Sequence, residues 1–301
     1  MKRRTFIRES AFLTAGAVMI PASKWLFAQP VSATFPQAVV VKNGQPSQLL
    51  KAALHALGGM ERFVKAGDVV VVKPNIGWDR PPELAANTNP LLVEAIVKAC
   101  FKAGAKQVKV FDRTCNDPRR CYRNSKIAER ARAAGADVMH VRRNRFTTLA
   151  INGQLIKEWP IYEDYLKADK VINVPIAKQH SLSTVTLGLK NLMGVMGGNR
   201  GNIHNHFARK LTEIDGRILP TLTIIDAYRI LTANGPQGGS PDYVKIKRTL
   251  IASDCTVSAD YLALPLFGYH LEQVEHIKVA AQKGLARYDL KKLKVKEINL
   301  A

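Results

Sequence analysis

Residues 69–112 read VVVVKPNIGWDRPPELAANTNPLLVEAIVKACFKAGAKQVKVFD. Four consecutive valines form a β-branched run without alternation, which predicts a strand over Val69–Lys73 buried on both faces, as in a parallel sheet. Asn89 and Pro90 are helix-start signals, Asn as the cap and Pro at the first helical position. That helix is predicted to run through Phe101 and to stop at Gly104. Val108–Phe111 is a second strand, ending in Asp112. Strand, helix and strand in this order make a β-α-β unit, whose strands run parallel.

The same alternation extends in both directions. Val39–Val41 reads as a strand and Ser47–Leu57 as a helix ended by Gly58 and Gly59. Beyond Asp112, Ser125–Ala134 reads as a helix ended by Gly135, then Asp137–Val141 as a strand. Lys170–Val174, Leu222–Asp226 and Lys247–Ala252 are further strands. Helices over Thr256–Leu264 and His270–Gln282 follow, with Asp254 as the cap of the first. Arg142–Tyr165 is irregular and reads as an inserted hairpin or subdomain. Repeated β-α-β units predict an α/β fold: a mostly parallel sheet flanked by helices on both faces, in a single large domain. Ligands of such sheets bind beyond the carboxyl ends of the strands.

The chain has 301 residues and a formal net charge of +21. It opens MKRRTFIRESAFLTAGAVMIPASKWLFAQPVSA, and Arg3-Arg4-Thr5-Phe6-Ile7-Arg8 reads as a twin-arginine export signal. The apolar run Ala11–Ile20 is too short to span a bilayer. Cleavage after Ala33 fits the small-residue rule, with Ala28 as the alternative. This assigns 1–33 to the signal and 34–301 to the α/β domain, the twin-arginine machinery as a partner, and a periplasmic or otherwise extracytoplasmic destination with no stable membrane span. Five cations and one carboxylate in the signal account for +4, leaving +17 on the rest. Nucleic acid is disfavoured as the partner of that charge, because no RNP-type aromatic pattern or zinc-finger spacing occurs. The KKLKVK run at Lys291 reads as a solvated face. The four cysteines contain no C-x-x-C, so no iron–sulfur cluster or structural zinc site is expected. Cys115 and Cys121 flank a turn-like Asn116-Asp117-Pro118, where a disulfide and two free thiols are both open.

The chemistry concentrates in PIAKQHSLSTVTLGLKNLMGVMGGNRGNIHNH, residues 175–206, which hold three of the seven histidines. Lys178 and His180 follow the strand Lys170–Val174 and so stand at the ligand-binding end of the sheet. Thr184–Met193 has apolar residues at helical spacing, with Lys190 and Asn191 near its end. Glycines from Gly188 to Gly201 let a ligand approach the main chain. Lys73, Asn75 and Asp112 stand at neighbouring strand ends, and the loop before Asn89 offers backbone N–H groups at a helix start. The set Lys73, Asn75, Asp112, Lys190, Asn191 and Arg200 reads as ligand-binding, with Lys and Arg holding a small anion. His180, His204 and Lys178 read as catalytic, His as the proton carrier. If a transition metal is the cofactor, His180, His204 and His206 are its ligands, with Asp112 or Asp226 in reserve. The loop Gly235-Pro236-Gln237-Gly238-Gly239 reads as a lid or a long turn. No nucleotide-binding glycine motif is present. The competing class is a non-catalytic anion or cofactor-binding protein serving an envelope redox system.

Taken in order, Lys73-Pro74-Asn75, Thr88-Asn89-Pro90, Asp112, His180, Leu189–Gly194, Arg200 with His204, Ile225-Asp226, Gly235-Pro236 and Ser253-Asp254 resemble the family catalogued as domain of unknown function 362, over roughly residues 39–268. That resemblance implies an α/β fold but no particular reaction. Some of its members carry an appended ferredoxin-like domain, whose cysteines this chain lacks. Cys255 also stands after Asp254 where relatives have proline. A remoter likeness, in residue types alone, is to the nickel-dependent lactate racemases, which hold a nickel–nucleotide cofactor with Lys and His residues.

Overall fold

Val70 and Val72 point into one hydrophobic cluster and Val71 into another, so the valine run is buried on both faces. The computed structural model describes residues 35–301, and the twin-arginine pattern lies outside the described residues. In chain order the elements begin β1 (Ala38–Lys42), α1 (Pro46–Ala56), β2 (Val69–Pro74), α2 (Pro90–Lys102) and β3 (Gln107–Val110). Next come α3 (Pro118–Asn124), α4 (Ile127–Ala133), β4 (Asp137–Val138), β5 (Phe146–Ala150), β6 (Glu158–Tyr162) and α5 (Glu163–Leu166). Then follow β7 (Lys170–Val174), β8 (Ile176–His180), β9 (Thr184–Thr186), α6 (Gly188–Asn191) and α7 (Phe207–Asp215). The last are β10 (Leu222–Leu231), β11 (Val244–Ser253), α8 (Thr256–Ala263), α9 (Glu275–Gln282) and β12 (Val295–Asn299).

The main path of the sheet runs β12-β1-β11-β10-β7-β2-β3-β4. The pairs from β10 through β7, β2 and β3 to β4 are all parallel. Within this sheet, among the described residues, antiparallel pairing is confined to β11, which lies between β1 and β10, and to β9 against β8. The mostly parallel sheet is therefore as expected. One face packs on α1, α2 and α4, the other on α7, α8 and α9, as two separate clusters. Asn89 caps α2 by accepting from the Leu91 N–H at 3.0 Å.

Several boundaries differ from the sequence reading, each for a local reason. The helix expected over Ser125–Ala134 is α4, which starts only at Ile127 because Lys126 before it takes a left-handed φ of 61°; α3 is a separate helix that ends at Asn124. The strand expected at Asp137–Val141 pairs over two residues alone. Thr184–Met193 is not one helix: β9 pairs with β8, and α6 starts only at Gly188. The expected His270–Gln282 helix begins at Glu275 after a short 3-10 turn. Arg142–Tyr165 does hold a hairpin, β5 with β6. The KKLKVK run leads into an edge strand, with β12 parallel to β1. Asp254 is no cap; it is ion-paired with Arg62 at 3.1 Å and Arg287 at 3.2 Å. Cys115 and Cys121 are free thiols, the first exposed and the second buried. Among the described residues, no helix is long and apolar enough to cross a membrane.

Candidate functional site

Strand ends build the site. β2, β3 and β7 run parallel and finish at the same edge, delivering Lys73, Asp112 and Val174 there. Pro175 does not end the chain's path. β8 continues beyond it, pairing with the far half of β10 (Asp226 with Ile176, Leu231 with Lys178), and carries Lys178 and His180 past the sheet edge. β9 folds back on β8 and sets Thr186 directly opposite Lys178. The result is a cleft of about 1110 Å³. Every predicted ligand-binding residue lines it: Lys73, Asn75, Asp112, Lys190, Asn191 and Arg200. Lys178, His180 and His204 line it too, whereas His206 does not.

The floor is an ion pair. Lys73 Nζ lies 2.8 Å from Asp112 Oδ1, both side chains almost fully buried. The same ammonium donates to the Pro74 carbonyl at 2.9 Å. Asp112 Oδ2 accepts from the Ile76 N–H at 2.6 Å, and the Asp112 backbone is held at both ends by the Tyr122 hydroxyl. Gly194 lies against this pair so closely that any side chain there would collide with Asp112 and Lys73. Burial lowers the Lys73 pKa, and Asp112 opposes that shift. A chain of amides adjoins the floor. Lys178 donates to Asn75 Oδ1 at 3.2 Å, Asn75 to Asn191 at 3.0 Å, Asn191 to Asn173 at 2.8 Å, and Asn173 to the Gly188 carbonyl at 2.9 Å. Each link fixes which end of the next amide is oxygen, so the network has one orientation.

Three groups above the floor are poised differently. Lys178 Nζ also donates to the Ala86 carbonyl at 2.5 Å, and burial brings its pKa down to about 7. Lys190 Nζ has softer neighbours, Met193 Sδ at 3.5 Å and the Phe207 ring centre at 4.9 Å. Burial brings its pKa down to about 8. Among the described residues neither lysine has a carboxylate partner within ion-pair distance. His180 accepts from the Leu182 N–H through Nδ1 at 3.1 Å, which leaves the ring proton on Nε2. Burial, then the Lys190 and Lys178 cations, push its pKa down to about 3. His180 is thus neutral near pH 7, with an Nε2–H able to donate a hydrogen bond. Arg200 is committed to main-chain carbonyls of Arg113 (3.0 Å), Thr114 (3.1 Å) and Met193 (3.4 Å). It shapes the wall as much as it charges it.

The three histidines proposed for a metal do not converge. His204 is exposed and stacks on Phe207, and His206 sits outside the cleft at a φ of 58°. Among the described residues, no group of three or more His, Cys, Asp and Glu side chains is placed to hold a metal. The backbone N–H at the start of α2 is likewise occupied from within, since Asn89 N–H donates to Asp226 Oδ2 at 2.7 Å. The Gly235 loop docks on β8 through Gly235 N–H to Gln179 Oε1 at 2.7 Å, and Pro236 lines the cleft.

Residues missed in the sequence complete the picture. Asp260 of α8 accepts from the Gly188 and Leu189 N–H groups at 2.6 and 2.9 Å, anchoring the start of α6 and so the placement of Lys190 and Asn191. Thr186 lines the cleft with its hydroxyl buried and unpartnered. Cys115 and Arg113 line it as well. Asp260 is 72 residues from Gly188, and no spacing rule reveals such a pair.

The profile of the family described as Domain of unknown function (DUF362) matches residues 70–265. This chain belongs to that family. The DUF362 span begins with β2 and ends in the turn after α8, so it contains every cleft residue from Lys73 to Pro236 and leaves out β1, α1, α9 and β12. It is narrower than the resemblance over 39–268. The chain is also similar to the thylakoid-associated protein sll1697 of Synechocystis sp., 29% identical over 244 residues, covering 78% of this chain and 74% of that protein. Among solved structures, the lactate racemase apoprotein from Thermoanaerobacterium thermosaccharolyticum is similar at a TM-score of 0.46 and 10% identity. That likeness covers 75% of this chain and spans 56% of the racemase chain.

Proposed function

We propose that this DUF362 protein is an enzyme that binds a small anionic substrate or cofactor in the cleft at the carboxyl ends of β2, β3 and β7. One observation carries the reading. Among the described residues, six lysine and arginine side chains line the cleft against a single carboxylate, Asp112, and that carboxylate is already paired with Lys73. Two of the six, Lys178 and Lys190, are held in a buried wall without a counter-charge among the described residues. A buried cation without a partner is costly, and an anion entering the cleft relieves that cost. In this reading Lys178 and Thr186 bind the anion, the Lys73–Asp112 pair and the asparagine chain hold the floor rigid, and His180 donates a hydrogen bond from Nε2 to an oxygen that gains charge.

The test is calorimetric titration of the purified mature chain with sulfate, phosphate and oxalate. Binding that weakens at least tenfold in Lys178→Met and as much in Lys190→Met is expected. Equal affinity in wild type and both variants would sink the proposal. Turnover of a bound carbonyl or hydroxy acid separates the enzyme from a non-catalytic carrier, which binds the same anion and releases it unchanged. The twin-arginine pattern at Arg3 and Arg4 supports export of the folded protein. Replacing both with lysine is expected to leave the chain in the cytoplasm, and continued export would argue against that assignment.

A further inference from the structure

Lys190 is set apart from the other cations of the cleft. Lys73 has a carboxylate and a carbonyl, Lys178 has a carbonyl and an amide oxygen, and Arg200 has three carbonyls. Lys190 Nζ has a thioether sulfur and the face of a benzene ring. No oxygen accepts from it among the described residues, although its side chain is 8% exposed and opens on the cleft. Burial among these apolar neighbours, against the ring's own attraction for a cation, disfavours the ammonium and favours the neutral amine, the form with a lone pair to give. A second observation lies close in the sequence. Thr186 has a buried hydroxyl on the cleft wall with no partner, opposite Lys178 across the β8–β9 pair. As an ammonium, the form that a bound carboxylate favours, Lys178 spends two of its three hydrogens on Ala86 and Asn75, leaving one. A carboxylate bridging that hydrogen and the Thr186 hydroxyl would satisfy both.

We propose that Lys190 is a nucleophilic amine that condenses with the carbonyl group of a small aldehyde or 2-oxo acid, the ligand's carboxylate resting on Lys178 and Thr186. This deepens the anionic-ligand reading and rests on it. The amine lone pair of Lys190 adds to the carbonyl carbon while the carbonyl π pair moves to oxygen, which takes a proton. His180 Nε2–H is the hydrogen-bond donor on the cleft wall suited to that oxygen. The resulting hydroxyl leaves as water after a second protonation, and the nitrogen gives up its two hydrogens as protons. One amine and one carbonyl become one imine and one water, with no oxidant or reductant. Lysines desolvated in this way are suited to imine chemistry near neutral pH, whereas surface lysines stay protonated.

The experiment uses the mature chain with glyoxylate as the probe and cyanoborohydride to reduce any imine to a stable N-carboxymethyl adduct, mapped by peptide mass spectrometry. Oxalate, which has no aldehyde, is titrated in parallel by calorimetry and as a competitor. The expected result is one adduct at Lys190, formed at least tenfold faster than at any other lysine at pH 7.5 and suppressed by oxalate. Glycolaldehyde, which lacks the carboxylate, should label Lys190 at least tenfold more slowly. Oxalate binding with adducts scattered over surface lysines, or placed on Lys178, would overturn the assignment and leave the anion site standing. Absence of both oxalate binding and a Lys190 adduct would remove the anion site together with the inference. The wild-type mapping needs no variant, so misfolding cannot obscure it. Lys190→Arg, which keeps the charge but has no nucleophilic amine, is expected to lose the adduct.

Discussion

Lys190→Met should make the ligand-free protein more stable at neutral pH. The lysine is charged in the unfolded chain up to its ordinary 10.5, whereas burial in the folded cleft brings that value to about 8. Each tenfold change in proton affinity is worth about 1.4 kcal/mol, so the buried charge costs the folded state about 3 kcal/mol below pH 8. The Phe207 ring at 4.9 Å returns about 1 kcal/mol of cation–π attraction. Methionine fills a similar path without a charge, for a net gain of about 2 kcal/mol. The sign follows from linkage. Between about pH 8 and 10.5 the unfolded state holds more protons at this site than the folded state, so wild-type stability rises with pH through that window. The advantage of the variant is therefore largest below pH 8 and fades towards pH 10.5. Urea unfolding of both proteins at pH 7, 8.5 and 10 in chloride buffer measures it, and thermal unfolding at pH 7 should show a rise in Tm of about 4–8 °C. A variant less stable than wild type at pH 7, or an advantage that does not change with pH, would refute the reasoning. The gain should come with lost anion affinity, because the charge that destabilises the empty cleft is the one that holds the ligand.

Three further outcomes follow from the same geometry. Lys73→Met strands the buried Asp112 and should cost about 3–5 kcal/mol in urea unfolding, most of it recovered in the Lys73→Met/Asp112→Asn double variant, whose amide still accepts from Ile76. Asp260→Asn turns one of two acceptors towards an N–H as a donor; it should lower stability by about 1.5–3 kcal/mol and weaken oxalate binding in calorimetry, since α6 carries Lys190 and Asn191. A thiol reagent should modify one cysteine quickly in the native protein, Cys115, and slow down when oxalate fills the cleft. Cys100, Cys121 and Cys255 are buried and should react only on unfolding.

The sheet was readable in the sequence because its signals are local. Val69–Lys73 has no alternation, and Asn89-Pro90 carries both helix-start residues within two positions, so β2 and α2 emerge where expected. The glycine-rich segment was readable only in part. Residues at strand ends must meet in a parallel sheet, which is why the sequence alone groups Lys73, Asp112 and Lys178. Thr184–Met193 misled because its apolar residues face the core from a strand, a turn and a short helix in succession, and together they imitate helical spacing. Lys126 delays the helix expected from Ser125 to Ile127, since a left-handed residue leaves no mark on a hydrophobic pattern. His180 shows a different limit of residue type. Its proton affinity is lowered first by burial and then by two lysines that reach it through the fold. Charge balance behaves the same way. The sequence holds 24 carboxylates, and nothing in their spacing says that, among the described residues, Asp112 alone faces the cleft. That imbalance exists only once β8 has carried Lys178 past the sheet edge and Asp260 has anchored α6 with Lys190. The cleft's demand for an anion is therefore a property of the assembled strand ends and of no single motif.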